Sequence, residues 1–413
     1  MNVAFSTSQV AAGSPAVAGK RSRAAEALNR SLCKAWARGA MPVPTLDEEA
    51  LLAWARKRTG LNDFGPEMEW RPQLGVLLRA LTGEAELNPI GRTMANGQVV
   101  GLLQQRLLAQ ALFDRHPEIR QRPIAAPIIV IGHMRSGTTR AQRLLACDPR
   151  LVHTRGFETL DPVPRRPDFR RWKARAMLAT LRSLNPEQFV IHPMSAGAPE
   201  EEFGLLNHGF YGAALEAQWR VPSFARWWAG RDRTPVYHRF ADLLRLIGWG
   251  RGDDPAEPWL LKVPQFTEDI EPLLRVFPDA RLLFLHRDPA AVVASSCSLV
   301  LNATRLQSDR ADPRTIGREW LAKVAARERA MRDARARRPD VTKLDLRFDE
   351  VSRDWREAMR RTYDWLGMPL TPEVEEHMAR YLRRAERSGY RGHRYRLEDF
   401  GLTVDQVREA VPA

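Results

Sequence analysis

Arg135, Ser136, Gly137, Thr138 and Thr139 stand in one short turn of the stretch PIIVIGHMRSGTTRAQRLLACDP, residues 127–149. A basic fork, three hydroxyls and a glycine form a set that can hold a phosphate. Backbone N–H groups of such a turn point inward, and a following helix adds the partial positive charge of its N-terminus. The loop is not the nucleoside-triphosphate form, which needs a lysine after its second glycine. Thr138 follows Gly137, and the cation has moved ahead of the glycine to Arg135. A second pair, Arg287 and Ser295, is eight residues apart across an RDP turn. An arginine at a strand end and a hydroxyl two turns into the next helix can converge on a second phosphate. Lys262, in LLKVP, is a cation suited to neutralising a transferred group. For proton removal the candidates are Glu158, after LVHTRGF, and further Glu201, His192 and His208. An unperturbed carboxylate is ionised at neutral pH, and imidazole has the pKa best placed for a base.

These side chains need a scaffold that brings distant segments together. Residues 128–131 read as a short buried strand, 259–261 as a second, 281–286 as a third and 341–348 as a fourth. Residues 151–154 are expected as a further short strand that presents Glu158. Helical spacing follows the loop at Leu144, Leu145 and Ala146, and Pro289 suits a first helical turn. The order strand, helix, strand predicts an α/β fold: a P-loop-type central parallel β-sheet flanked by helices, with an N-terminal helical region. Ligands of such sheets sit at the carboxyl ends of the strands.

The remaining segments divide the chain. Residues 1–40 read as a disordered or basic tail, with a short helix possible in 21–40. Residues 41–120 read as a helical region, with helices over 45–59, 71–81 and 99–115 and LNPIGR, 87–92, as a loop. The α/β unit is expected over 121–405, with a helical insertion at about 160–250 beside the acceptor. Within it, 161–190 is a proline-interrupted crossover with a helix near 169–183. Pro199 and the acids after it read as a helix start. Tyr211, Trp219, Phe224, Trp227, Trp228, Tyr237, Phe240 and Trp249 suit either core packing or the lining of an apolar acceptor pocket.

The chain has 413 residues and a formal net charge of +14, which attracts anions of any kind. Cys33, Cys147 and Cys297 form neither a zinc pattern nor a disulfide framework, so a reducing cytoplasm is expected. No apolar run is long enough to span a bilayer. No RNP or zinc-module pattern accompanies the aromatic residues, so nucleic acid is not the expected partner.

The RSGTT loop, together with Arg287 and Ser295, resembles the donor site of the PAPS-dependent sulfotransferases. It is the loop form of a large bacterial group and of the tyrosylprotein sulfotransferases. The resemblance implies 3'-phosphoadenylyl sulfate (PAPS) as sulfonate donor, PAP as product, no metal, and a small-molecule or peptide acceptor. It implies Arg135, Ser136, Gly137, Thr138 and Thr139 at the 5'-phosphosulfate and Arg287 with Ser295 at the 3'-phosphate. It further implies Lys262 at the reacting centre and Glu158 as base. The PEE segment around Glu201 is similar to one usually found beside the acceptor pocket. The basic tail RSGYRGHRYRLEDFGL resembles a C-terminal segment in which Arg391 and Arg394 would cover the nucleotide. Cytosolic relatives place lysine where this chain has Arg135. Arginine keeps the electrostatic role but is a poor proton donor. Two other readings remain: a nucleotide-dependent phosphotransferase, and a non-catalytic binder of anions or nucleic acid.

Overall fold

The computed structural model describes residues 21–387 and 395–411. At its centre is a parallel four-stranded sheet in the order β2-β1-β3-β4, with β1 Ile128–Ile131, β2 Leu260–Lys262, β3 Arg281–His286 and β4 Lys343–Arg347. The fold is the expected α/β sheet flanked by helices with an N-terminal helical region. The apolar runs are continuous because both faces are covered. Alternate side chains go to opposite faces. Ile129, Ile131, Leu261, Leu282 and Phe284 join a large core with the N-terminal helices. Ile128, Val130, Leu260, Leu283 and Leu285 face a second core with Leu144, Leu145 and the helix Trp355–Leu366.

The strand order reverses at β1. The chain leaves β1 for β2 on one side, then returns to β3 on the other, so the crevice beyond β1 and β3 is a topological switch point. The register aligns the ends: Val130 lies beside Lys262, and Ile131 beside Phe284. Everything that follows these strands is therefore gathered on one edge.

Several expectations need correction. Residues 151–154 make no strand; Val152 alone bridges to Trp259. LNPIGR is not a loop throughout, because Asn88 accepts from the Gly91 amide and caps the helix Pro89–Arg115 at once. The short helix read within 21–40 is present as Arg23–Ala37, and it packs on Pro89–Arg115 and on Arg170–Leu184. The acids after Pro199 do not begin a helix; the helix starts at Phe203, and residues 199–202 are non-helical.

The aromatic residues of 211–250 serve the core. Tyr211, Trp219, Phe224, Trp228, Tyr237 and Phe240 are all buried. Tyr211 and Tyr237 each donate their hydroxyl to Asp269, at 2.6 and 2.9 Å. Both bonds go to Oδ2, while Oδ1 faces the Arg233 guanidinium at 3.2 Å.

Candidate active site

The loop 132–137 runs from β1 into the helix Thr138–Leu145. Gly137 has φ of 92°, and a Cβ there would stand 2.7 Å from the Phe348 ring. Only glycine fits both constraints. Ser136 is buried and folds the turn on itself, donating its hydroxyl to His133 O at 2.7 Å. Among the described residues, no acceptor of the chain takes the amides of Gly137, Thr138 or Thr139. Three such donors at a helix start are the groups a bound phosphate would use.

Arg135 has a positive φ, 70°, which is uncommon for a side-chain-bearing residue. Its conformation is fixed by its neighbours. Its Nε donates to Ser295 Oγ at 3.0 Å, its Nη1 to Ile191 O at 2.9 Å, and its own carbonyl accepts from Arg287 Nη1 at 2.6 Å. The loop thus meets both members of the second pair. Ser295 is buried in the helix Pro289–Gln307, which Asp288 caps. The Arg287 guanidinium lies 4.2 Å from the Phe348 ring. Phe348 is a residue the sequence reading missed, because it falls at the end of the strand expected over 341–348, whereas the strand ends at Arg347.

Lys262 ends β2 on the face covered by Thr138–Leu145, so its ammonium comes under the loop. It is fully buried. Its Nζ donates to Thr139 Oγ1 at 3.0 Å and forms an ion pair with Glu201. The three acids after Pro199 diverge. Glu200 faces His192, whose Nε2 is 3.5 Å away. Burial pushes the Glu200 carboxyl up, but His192 and Arg143 hold it below its ordinary value. Glu201 reaches Lys262. Glu202 is fully buried and accepts from Thr154 Oγ1 at 2.7 Å and from the Lys262 amide at 2.9 Å. Burial raises its pKa to about 8 despite these donors. Glu202 holds the end of β2 in place, a role the sequence reading did not assign.

Glu158 is elsewhere. It lies in the short helix Gly156–Leu160, is buried, and has both oxygens engaged. Oε1 accepts from Arg251 Nε at 2.8 Å and Oε2 from the Arg155 amide at 2.8 Å, with Arg251 Nη2 also on Oε2. Its contacts are those of a capping, ion-paired carboxylate, and none is to the loop. His208 is also buried, and burial with Arg239 and Arg106 nearby pushes its imidazole well below its ordinary pKa. Its carbonyl accepts from Arg106, not from the loop. His192 stands beside Ile191, the residue that holds Arg135. Arg391 and Arg394 lie outside the described residues. Among those described, no three His, Cys, Asp or Glu side chains group as a metal site, and no helix is long and apolar enough to cross a membrane.

Comparison with known proteins gives a consistent picture. The family model described as the sulfotransferase family matches residues 127–372. The crystal structure of sulfotransferase STF1 from Mycobacterium tuberculosis superposes with a TM-score of 0.75 at 30% identity, covering 90% of this chain and 100% of that one. Sulfotransferase STF9 from Mycobacterium avium gives 0.76 at 28% identity, covering 89% and 95%. The omega-hydroxy-beta-dihydromenaquinone-9 sulfotransferase Stf3 of Mycobacterium bovis is 24% identical over 304 residues, 68% of this chain and 71% of the relative.

Proposed function

From its membership of the sulfotransferase family, to which the matched model and the similarity to STF1 assign the chain, we propose that this protein transfers a sulfonate group from PAPS to a hydroxyl or amine acceptor. One observation carries the reading: the loop 132–137, Lys262 and the Arg287–Ser295 pair converge at the switch point of the sheet. The unclaimed amides of Gly137, Thr138 and Thr139, with Ser136 and the Arg135 guanidinium, are suited to the 5'-phosphosulfate. Arg287 and Ser295 are suited to the 3'-phosphate. The α/β unit of 121–405 would hold the donor, with the helical segment 160–250 on the acceptor side and 41–120 as a covering layer. The RSGTT form of the loop supports kinship with the tyrosylprotein enzymes, and a cytoplasmic location fits the cysteine content.

We assign the base to Glu201 in place of Glu158, because Glu201 alone of the two touches Lys262. The Glu201 carboxylate takes the acceptor proton. The acceptor's electron pair forms the new bond to sulfur, and the bond from sulfur to the phosphate oxygen breaks. That oxygen keeps the pair and leaves as part of PAP. Arg135, Lys262 and the loop amides stabilise the charge that develops there. Without donor, Lys262 and Glu201 neutralise each other; an anionic donor beside Lys262 loosens that pair and frees the carboxylate. Position and charge carry the catalysis. The name of Stf3 supports a hydroxyl acceptor.

The test is incubation with sulfur-radiolabelled PAPS and a panel of alcohols, phenols and amines. Label in an acceptor, with one PAP released per label transferred, supports the reading. Turnover of ATP with magnesium and none of PAPS would replace it with phosphotransfer.

A further inference from the structure

The helix Arg170–Leu184 carries Arg170, Arg171, Lys173, Arg175 and Arg182 and no acidic residue. Its N-terminal end exposes large apolar side chains to an unusual degree: Phe169 is 60% and Trp172 68% accessible. Leu160 and Val190, in the short helices on either side, and Met177 on the helix itself are exposed as well. At about 100° per residue, Phe169, Trp172 and Ala176 fall on one outward stripe, opposite the buried Ala174. Arg171, Arg175 and Arg182 follow one flank of that stripe. The nearby carboxylates are already engaged, Asp161 by Arg165 and Asp168 by Arg170.

We propose that this face docks on an anionic phospholipid bilayer surface. A helix lying in the interface places aromatic side chains at the acyl boundary and arginines among anionic headgroups. Each cation near such a surface adds attraction, and the +14 of the whole chain acts in the same direction. A second copy of the chain is the less fitting occupant, since the same arginine flank would meet itself. The helix is connected to the loop: the next helix, Pro186–Ile191, contacts Arg170–Leu184 and ends at the residue whose carbonyl accepts from Arg135. Docking would therefore present the donor loop beside the bilayer, where the acceptor of the proposed reaction could be a membrane-dissolved alcohol. That consequence rests on the proposed function; the docking does not.

The experiment is flotation of the full-length protein with vesicles of phosphatidylcholine and phosphatidylglycerol, against phosphatidylcholine alone. The protein should float with the anionic vesicles and be released by salt. Phe169→Ser with Trp172→Ser should weaken the partition about tenfold or more. Arg171→Glu with Arg175→Glu should weaken it by a similar factor, roughly tenfold. Thermal melting should be nearly unchanged, since these side chains are exposed, and PAP binding should be intact in every variant. No partition onto anionic vesicles, or partition indifferent to both pairs of substitutions, overturns the proposal. So does a dimer that Trp172→Ser dissociates, or an oligonucleotide that binds wild type tightly and is lost with the same residues. Loss of PAP binding in wild type would instead contradict the donor-site reading and leave the flotation result to stand by itself.

Discussion

The ammonium of Lys262 is buried between Thr139 Oγ1, 3.0 Å away, and the carboxylate of Glu201. The pair joins the loop 132–137 and its helix to the segment 199–202, with Lys262 fully buried and Glu201 partly so. Removing one leaves the other uncompensated, which is costly in a buried site.

Glu201→Gln should lower the single-turnover rate of sulfonate transfer by roughly 10²–10⁴ while PAP binding changes little. Lys262→Ala should also lower the rate, with the protein still folded. Side-by-side rapid-quench assays check both. Wild-type rates in the folded glutamine variant would remove Glu201 from the mechanism.

Glu158→Gln has a different expected signature. It removes the charge that pairs with the partly buried Arg251, which keeps Asp253 as a second partner, and weakens the cap of Gly156–Leu160. Stability should fall by about 1.5–3 kcal/mol, the scale of hydrogen bonds to a charged group. Denaturant titration reads this directly. A stable Glu158→Gln protein with a collapsed transfer rate would return the base to residue 158.

The two glutamates show what the sequence could and could not reveal. The loop was legible because its small residues, its arginine and the flanking apolar strand are contiguous. The β3 motif was legible for the same reason, and its bounds, 281–286, match the strand. The surroundings of Glu158 were not legible, because residues 151–154 have the composition of a strand but pair only through Val152. Its partner Arg251 is 93 residues away and carries no local mark. The acids 200–202 look like a helix start. Their divergence to His192, Lys262 and Thr154 depends on packing that no spacing rule contains. At Asn88–Pro89 the signal was present, since a capping asparagine before proline opens a helix.

Gly137→Ala should weaken PAP binding about tenfold or more. The added Cβ meets the Phe348 ring at 2.7 Å, and the backbone at φ of 92° disfavours any side chain by about 1–2 kcal/mol. Phe348→Ala in the same chain should relieve the steric part and recover some binding. Calorimetry on the single and double variants separates the two effects; identical affinities would mean that the ring does not restrain the loop.

Glu202 predicts a pH dependence. Its folded-state pKa is raised by burial to about 8, above the unfolded carboxyl. The folded state therefore binds the extra proton between those values, and stability from this group is present at low pH and lost as pH rises through that window. The slope is about 1.4 kcal/mol per unit for one proton. Denaturation at pH 5 and pH 8 should show wild type losing stability across the interval and Glu202→Gln losing less. An equal change in both proteins would contradict the assignment.

In the proposed function Arg287 and Ser295 complete a donor site begun by the loop around Arg135. Calorimetric titration of PAP and of its 3'-dephospho analogue into wild type and Arg287→Ala tests it most directly. Wild type should bind PAP tightly, without competition from ATP with magnesium, and Arg287→Ala should lose about 1.5–3 kcal/mol for PAP, the worth of a charge-assisted bond. Binding of the 3'-dephospho analogue should be nearly unchanged. Equal losses for both ligands, or a wild-type protein that binds neither, would contradict it.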